Sequence, residues 1–121
     1  MTRMMIVDDE PEILEGTRWA FEIAGFEVHT AGSAEEALPQ SKTIRPQVFL
    51  IDYKLPGISG LEMLKAVKLA DPRAVAIIIT GLTHEAGDAE TASREYGAAG
   101  FLHKPLPIQD VLRIVRENLK Q

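Results

Sequence analysis

Residues 48–57 read VFLIDYKLPG: four apolar residues end in the carboxylate of Asp52, and a Pro-Gly turn follows. A short apolar run bounded by turn residues predicts a strand that is buried on both faces, as in a parallel sheet. Asp52 then lies where that strand leaves the sheet, which is where open α/β sheets place their ligands. A charged group beside a core must be paired or bind a cation, because burying it alone is very costly. The side chains that surround Asp52 are therefore the key to function.

Two more apolar runs repeat this pattern and predict strands over residues 4–7 and 74–80. Two short segments predict the remaining strands, residues 26–31, with Phe26 and Val28 as the apolar members, and residues 100–103. Cap and turn signals predict helices that start at Pro11, Ser33, Ser59 and Asp88 and just after Pro107. Pro39 inside the second helix should kink or shorten it. Five alternations of strand and helix predict a doubly wound α/β fold, a five-stranded parallel sheet with helices on both faces.

Composition limits the classes of protein to which the chain can belong. Its 121 residues suffice for one hydrophobic core, so we expect a single domain over residues 1–121. The formal charge of −5, from 13 Lys and Arg against 18 Asp and Glu, argues against a nucleic-acid-binding face in this segment. The absence of cysteine excludes disulfides and thiolate zinc sites and fits a reducing cytoplasm. The N-terminal apolar run is too short for a signal peptide or membrane span, so we expect a cytoplasmic location without membrane association.

Polar side chains follow four of the predicted strands. Those at or just past a strand end are Asp8, Asp9, Asp52, Thr80 and Lys104. Because the carboxyl ends of parallel strands lie at one edge of a sheet, we expect these side chains to meet there. Three nearby carboxylates repel one another unless a cation neutralises them, and oxygen-only ligands suit Mg²⁺, with Mn²⁺ as a substitute. A carboxylate beside Mg²⁺, an ammonium and a hydroxyl offers a transferring phosphoryl group a nucleophile and charge neutralisation.

Each of these residues also has an ordinary structural explanation when it is considered alone. An Asp-Asp pair after a strand is most often a helix N-cap with a solvated neighbour. A threonine at a strand end is usually a turn residue, and an aspartate there more often forms a turn than acts as a nucleophile. The joint pattern favours a functional site, because each residue independently falls at the same edge of the sheet.

Four motifs carry these residues: IVDDEP at 6–11, DYKLPGISGLE at 52–62, ITG at 79–81 and FLHKPL at 101–106. Together they resemble the receiver domain of bacterial two-component response regulators, the CheY-like family. The resemblance covers essentially the whole chain and implies a flavodoxin-like sheet with strand order 2-1-3-4-5. It also implies that the chain signals through phosphorylation and turns over no metabolite.

The resemblance assigns a role to each acidic residue of the predicted site. Asp52 would be the phosphoacceptor, taking a phosphoryl group from a sensor histidine kinase or a phosphotransfer protein. Asp9 would bind Mg²⁺ directly and Asp8 largely through water. The carboxylate of Asp52 and the backbone carbonyl of Lys54 would be further metal ligands.

The resemblance also implies a switch. Thr80 and Lys104 would contact the phosphoryl oxygens, and the Lys104–Pro105 peptide bond would be cis. Phosphorylation adds about −1.5 to −2 charges at this edge, so Thr80 would be drawn to a phosphoryl oxygen and Phe101 would enter the vacated space. Phe101 has an alternative role as a plain core aromatic, and it stands where many family members have Tyr. The fourth helix, fifth strand and fifth helix would form the output face, through which a homodimer could also form.

Several questions stay open at the level of sequence. A Mg²⁺-dependent phosphohydrolase resembling haloacid dehalogenases would carry a second Asp two residues after the nucleophile, where this chain has Lys54. A binding module independent of phosphorylation would not need the complete set of acidic, hydroxyl and lysine residues.

The segment between Gly81 and Gly87 is expected to be a mobile loop before a short fourth helix. Trp19 is either exposed for kinase docking or partly buried, and the downstream output domain or target is unknown.

Overall fold

The computed structural model of the chain describes residues 1–81 and 86–119. Its strands are β1 (Arg3–Val7), β2 (Glu27–Ala31), β3 (Val48–Asp52), β4 (Val75–Thr80) and β5 (Gly100–His103). Its helices are α1 (Pro11–Ile23), α2 (Ala34–Ile44), α3 (Gly60–Ala70), α4 (Ala86–Glu95) and α5 (Ile108–Leu119). Every strand is followed by a helix, and the strand bounds and helix starts differ from the predicted ones by at most two residues.

The five strands form one parallel sheet in the order β2-β1-β3-β4-β5, which confirms the predicted doubly wound fold. β3 lies between β1 and β4, so both of its faces are covered. Phe49 and Ile51 face the core layer shared with α2, α3 and α4, whereas Val48 and Leu50 face the layer shared with α1 and α5. The two-sided burial explains why β3 reads as a continuous apolar run instead of an alternating one.

The second helix is not shortened at its proline. α2 continues past Pro39 to Ile44 and is followed by Arg45 at φ 54°, a left-handed C-cap. The side chain of Arg3 donates hydrogen bonds to the carbonyl oxygens of Ile44 (2.9 Å) and Arg45 (3.1 Å). These bonds satisfy carbonyl groups that the end of a helix otherwise leaves without partners.

The start of α3 packs closely against the end of β3. Ser59 and Glu62 form a reciprocal capping box, in which each side chain accepts a hydrogen bond from the backbone N–H of the other, at 3.1 and 3.0 Å. The Gly60 N–H donates to the carbonyl oxygen of Tyr53 at 3.1 Å. A Cβ at Gly60 would strike the carbonyl oxygen of Asp52 and come within 2.8 Å of the Tyr53 Cα. The absence of a side chain at Gly60 therefore lets α3 approach the backbone of Asp52.

This close approach predicts a strongly destabilising substitution. We expect Gly60→Ala to lower the free energy of unfolding by about 3 kcal/mol, because the added methyl group meets backbone atoms. Gly16→Ala in α1 is the matched control, since a Cβ there meets nothing within 4 Å. Alanine favours the helix by about 0.5–1 kcal/mol relative to glycine, so the control should be slightly more stable than wild type. Urea unfolding measures both, and equal stability of the two variants would contradict the prediction.

The fourth helix is short and contributes little apolar surface. Among its described side chains, Ala89 and Ser93 are buried, and the Ser93 hydroxyl donates to the Ala89 carbonyl at 2.8 Å. The loop expected between Gly81 and Gly87 falls largely on residues 82–85, which lie outside the described residues. In the described part of the chain, no helix combines the length and the apolar character needed to cross a membrane.

Candidate functional site

The C-terminal ends of four strands bring polar side chains to one edge of the sheet. Asp8 follows β1, Asp52 ends β3, Thr80 ends β4 and Lys104 follows β5. A cleft of about 380 Å³ opens at this edge. Its lining residues are Asp9, Glu10, Asp52, Lys54, Thr80, Gly81 and Lys104. The structure thus brings the residues predicted for the site into one neighbourhood, although they come from distant parts of the chain.

Lys104 lies among three carboxylates. Its Nζ is 3.2 Å from Oδ2 of Asp52, 3.3 Å from Oδ2 of Asp8 and 3.3 Å from Oε1 of Glu10. Asp8 and Asp52 are buried, whereas Glu10 is exposed. The ammonium group of Lys104 therefore lies between the two buried carboxylates and the exposed carboxylate of Glu10.

Burial and neighbouring charges shift the pKa values of Asp52 and Lys104. Burial raises the pKa of Asp52, and the Asp8 carboxylate adds to the rise, while Lys104 and a hydrogen bond from the backbone of Lys54 oppose it. Burial opposes the charge on Lys104, but Asp52, Asp8 and Glu10 outweigh it, so the pKa of Lys104 is raised above its ordinary value. One lysine thus faces more negative charge than it can neutralise, which favours binding of a second cation.

Thr80 and Phe101 are both buried in this structure. The Thr80 carbonyl accepts a hydrogen bond from the backbone N–H of Lys104 at 2.9 Å, which ties the end of β4 to the residue after β5. Phe101 is 7% exposed, belongs to the core, and meets the ring of His103 edge-on at 5.8 Å between centroids. Phe101 is thus a packed core residue here, and its movement remains a prediction. The Lys104–Pro105 peptide bond is cis.

A group of acidic side chains follows β1 directly. The carboxylates of Asp8, Asp9 and Glu10 have oxygen atoms within 4.8 Å of one another. Oδ1 of Asp8 also accepts a hydrogen bond from the Glu10 N–H at 2.9 Å, which fixes the turn. Oxygen-only donors of this kind suit Mg²⁺ or Mn²⁺ better than softer metals.

Sequence reasoning missed one member of this group. The predicted metal ligands were Asp8, Asp9, Asp52 and the backbone carbonyl of Lys54, without Glu10. The available signal was the position of Glu10 directly after the Asp-Asp pair, which keeps its carboxylate near both aspartates.

A second cavity, of about 440 Å³, lies beneath α1 and also reaches Asp52 and Lys104. Its apolar lining includes Ile13, Gly16 and Ala20 of α1 and Leu106 and Ile108 after β5. Trp19 and Ile23, one helical turn apart on α1, are 68% and 66% exposed. The structure therefore shows Trp19 as an exposed residue, which was one of the two alternatives for it.

Comparison with known proteins gives one consistent result. A family model described as the response regulator receiver domain matches residues 4–116. A response regulator receiver protein of Anaeromyxobacter sp. (strain Fw109-5) is 33% identical over 112 residues, which are 93% of this chain and 46% of that protein. The chain spans about a quarter to about a half of the length of the relatives it matches.

Solved structures agree with this family match. A response regulator receiver domain protein from Clostridium thermocellum has a TM-score of 0.89 at 31% identity, covering 98% of this chain and 94% of that one. The response regulator protein TrrA from Thermotoga maritima, in complex with Mg²⁺-BeF, has a TM-score of 0.83 at 29% identity. That match covers 98% of this chain and all of the other.

Proposed function

The chain belongs to the response regulator receiver domain family, and from this membership we propose that it is a phosphorylation-dependent switch of a two-component system. In this proposal Asp52 accepts a phosphoryl group from a phosphohistidine of a sensor kinase or phosphotransfer protein. The observation that carries the proposal is the 3.2 Å contact between Lys104 Nζ and Asp52 Oδ2, at a cleft that Asp9 and Thr80 also line. It supports the proposal because it joins a carboxylate nucleophile to a cation able to neutralise phosphoryl oxygens.

The transfer step makes one bond and breaks one. An oxygen of the Asp52 carboxylate bonds to phosphorus as the phosphorus–nitrogen bond of the donor breaks, and the electron pair stays on the imidazole nitrogen. The product at Asp52 is an acyl phosphate. Lys104 neutralises charge on the phosphoryl oxygens, and the Thr80 hydroxyl donates a hydrogen bond to one of them. Lys104 also favours the ionised form of Asp52, which is the nucleophilic one, and so counteracts the effect of burial on its pKa.

The acidic side chains present fit Mg²⁺, because they offer only oxygen atoms and carry excess negative charge. We propose that Asp9 binds the ion directly and Asp8 largely through water, with Asp52 and the backbone carbonyl of Lys54 as further ligands. Mn²⁺ would bind to the same set. When bound, the metal ion supplies charge neutralisation at the phosphoryl oxygens.

Phosphoryl uptake from a small donor tests the proposed function. The purified protein should be labelled by acetyl phosphate or phosphoramidate when Mg²⁺ is present, to at most one phosphoryl group per chain. Chelation of the metal by EDTA should remove the labelling. Equal labelling with and without Mg²⁺, or none from either donor with Mg²⁺, would contradict the proposal.

A second prediction concerns the metal site itself. We expect Asp9→Ala to weaken Mg²⁺ binding by about tenfold or more, because the change removes a direct ligand, and even outer-shell changes at metal sites cost about that much. Glu12→Ala is the control, since Glu12 is exposed in the first turn of α1 and lines the other cavity. Isothermal titration calorimetry with Mg²⁺ measures both variants. An unchanged titration for Asp9→Ala would place the ion elsewhere.

The partners follow from the same proposal. The kinase or phosphotransfer protein would dock beside the cleft and along α1, where Trp19 offers an exposed apolar side chain. An output domain or a separate target protein would read the face formed by α4, β5 and α5, which could also form a homodimer. We propose a cytoplasmic location, where such kinases act, with neither nucleic acid nor membrane bound by this segment.

The competing phosphohydrolase is disfavoured, because Lys54 stands where its acid–base aspartate would be.

A further inference from the structure

A carboxylate of α2 reaches across to the loop that follows β3. Glu35, the second residue of α2, accepts a hydrogen bond at Oε2 from the backbone N–H of Ile58 at 3.0 Å. The two residues are 23 positions apart in the chain, so the bond joins separate elements. The loop concerned leads from Asp52 to α3 and contains Lys54.

The shape of the loop leaves room for this carboxylate. Pro56 is followed by Gly57 at φ 75°, in the left-handed region that favours glycine. A Cβ at Gly57 would strike the carboxylate of Glu35. Gly57 therefore serves both the turn and the contact with α2.

The ends of this loop are held by backbone hydrogen bonds. The Tyr53 N–H donates to the Ile79 carbonyl at 2.8 Å, and the Gly60 N–H donates to the Tyr53 carbonyl at 3.1 Å. The bond from Ile58 to Glu35 lies between these two anchors along the chain. It is charge-assisted, and such bonds are stronger than bonds between neutral groups.

From this geometry we propose that Glu35 is a positioning residue for the metal site. By holding Ile58, it fixes the loop so that the backbone carbonyl of Lys54 is preorganised for Mg²⁺ or Mn²⁺. The inference rests on the proposed function, because it takes the Lys54 carbonyl to be a metal ligand. It adds α2, which contacts the loop through Glu35, to the elements that set metal affinity.

The test compares metal affinity in Glu35→Ala, Glu35→Gln and Glu36→Ala. Glu36 is the matched control, because it is an exposed glutamate in the same first turn of α2. Mn²⁺ binding is followed by electron paramagnetic resonance of the free ion, with unfolding curves showing that each variant is fully folded. We expect Glu35→Ala to bind Mn²⁺ about fivefold more weakly than wild type, as the loss of one hydrogen bond implies. Glu36→Ala should match wild type, and Glu35→Gln should lie between, because its amide oxygen still accepts.

Three results would overturn the inference. The first is equal Mn²⁺ affinity of Glu35→Ala and Glu36→Ala, with wild type binding normally, which would leave the proposed function intact. The second is a Glu35→Gln variant as weak as Glu35→Ala, which would assign the effect to charge and not to the hydrogen bond. The third is failure of wild type to bind Mn²⁺, which would remove the proposed function as well.

Hydrogen exchange supplies a readout that does not depend on metal. In metal-free protein, the Ile58 amide should exchange faster in Glu35→Ala than in Glu36→Ala, while the amide of Tyr53 stays protected in both. The contact at Gly57 can be checked by a double-mutant cycle, since Gly57→Ala should destabilise wild type more than it destabilises Glu35→Ala. Unchanged exchange at Ile58, or strictly additive effects in the cycle, would show that the contact does not operate in solution.

Discussion

Asp52→Asn is expected to abolish phosphoryl uptake from acetyl phosphate. The substitution keeps the size and shape of the side chain, but an amide is not a competent nucleophile and carries no negative charge to attract Mg²⁺. Asp71→Asn is the matched control, because Asp71 is an exposed aspartate after α3, at the opposite edge of the sheet. Radiolabel retained on protein after acid-free gel filtration measures both variants. Undiminished labelling of Asp52→Asn would remove Asp52 from its proposed role.

Loss of labelling in Asp52→Asn must be distinguished from unfolding of the variant. The raised pKa of Asp52 predicts how the stability of this variant depends on pH, which shows whether it is folded. Burial and the Asp8 carboxylate raise this pKa above its ordinary value of 3.8, so the ionised form of Asp52 opposes folding. The penalty is full above the raised pKa and disappears as the pH falls below the ordinary one. Asp52→Asn should therefore be at least as stable as wild type at pH 7, with an advantage that vanishes in acid. Urea unfolding of both proteins at pH 7 and at a pH below 3.8 measures this difference in stability.

Lys104→Met is expected to lower the free energy of unfolding by about 1–2 kcal/mol in the absence of metal. Removal of the lysine leaves Asp8 and Asp52 as buried carboxylates without this cation, and breaking a fully buried ion pair in this way costs about 3–5 kcal/mol. The cost is smaller here, because the Lys104 side chain is partly exposed and solvent screens its charge. Methionine retains most of the length of the apolar stem, so the loss of packing is small. Lys54→Met is the control, because Lys54 is exposed at the same cleft and should change stability little.

Added Mg²⁺ should reverse much of this loss. A metal ion that binds only the folded state at 100 times its dissociation constant contributes about 2.7 kcal/mol. Because Lys104 competes electrostatically with a bound cation, the Lys104→Met variant should also bind Mg²⁺ more tightly than wild type. Urea unfolding with and without Mg²⁺ measures the recovery. A variant as stable as Lys54→Met without metal, or one that Mg²⁺ fails to stabilise, would contradict the role assigned to Lys104.

Much of the fold follows from local patterns in the sequence. β3 was predicted with its observed bounds, because Val48 to Ile51 form an apolar run that ends at a charge and a turn. The alternation of strands and helices then limits the topology, since parallel strands require crossovers of one hand. Once the strands are parallel, their C-terminal ends share an edge, so the sequence predicts that Asp52, Thr80 and Lys104 lie near one another.

The features that were missed depend on tertiary contacts. The spacing from Ser33 to Glu36 fits a capping box, and the structure shows Ser33 accepting a hydrogen bond from the Glu36 N–H. The reciprocal box, with both hydrogen bonds, is present at Ser59, where the sequence indicated only a cap. The bond from Ile58 to Glu35 has no signal in sequence, because it depends on how α2 lies beside the loop after β3. Likewise, the continuation of α2 past Pro39 shows that tertiary context can override a local preference.

Chemical identification of the phosphorylated residue is the decisive measurement. The protein is treated with acetyl phosphate and Mg²⁺, and borohydride then reduces any acyl phosphate, which converts a phosphorylated aspartate to homoserine. Peptide mass spectrometry locates the converted residue. We expect conversion at position 52 alone, and only in the sample that received both reagents. Conversion at another acidic residue, or a stable phosphate on a residue other than Asp52, would contradict the assignment of Asp52 as the phosphoacceptor.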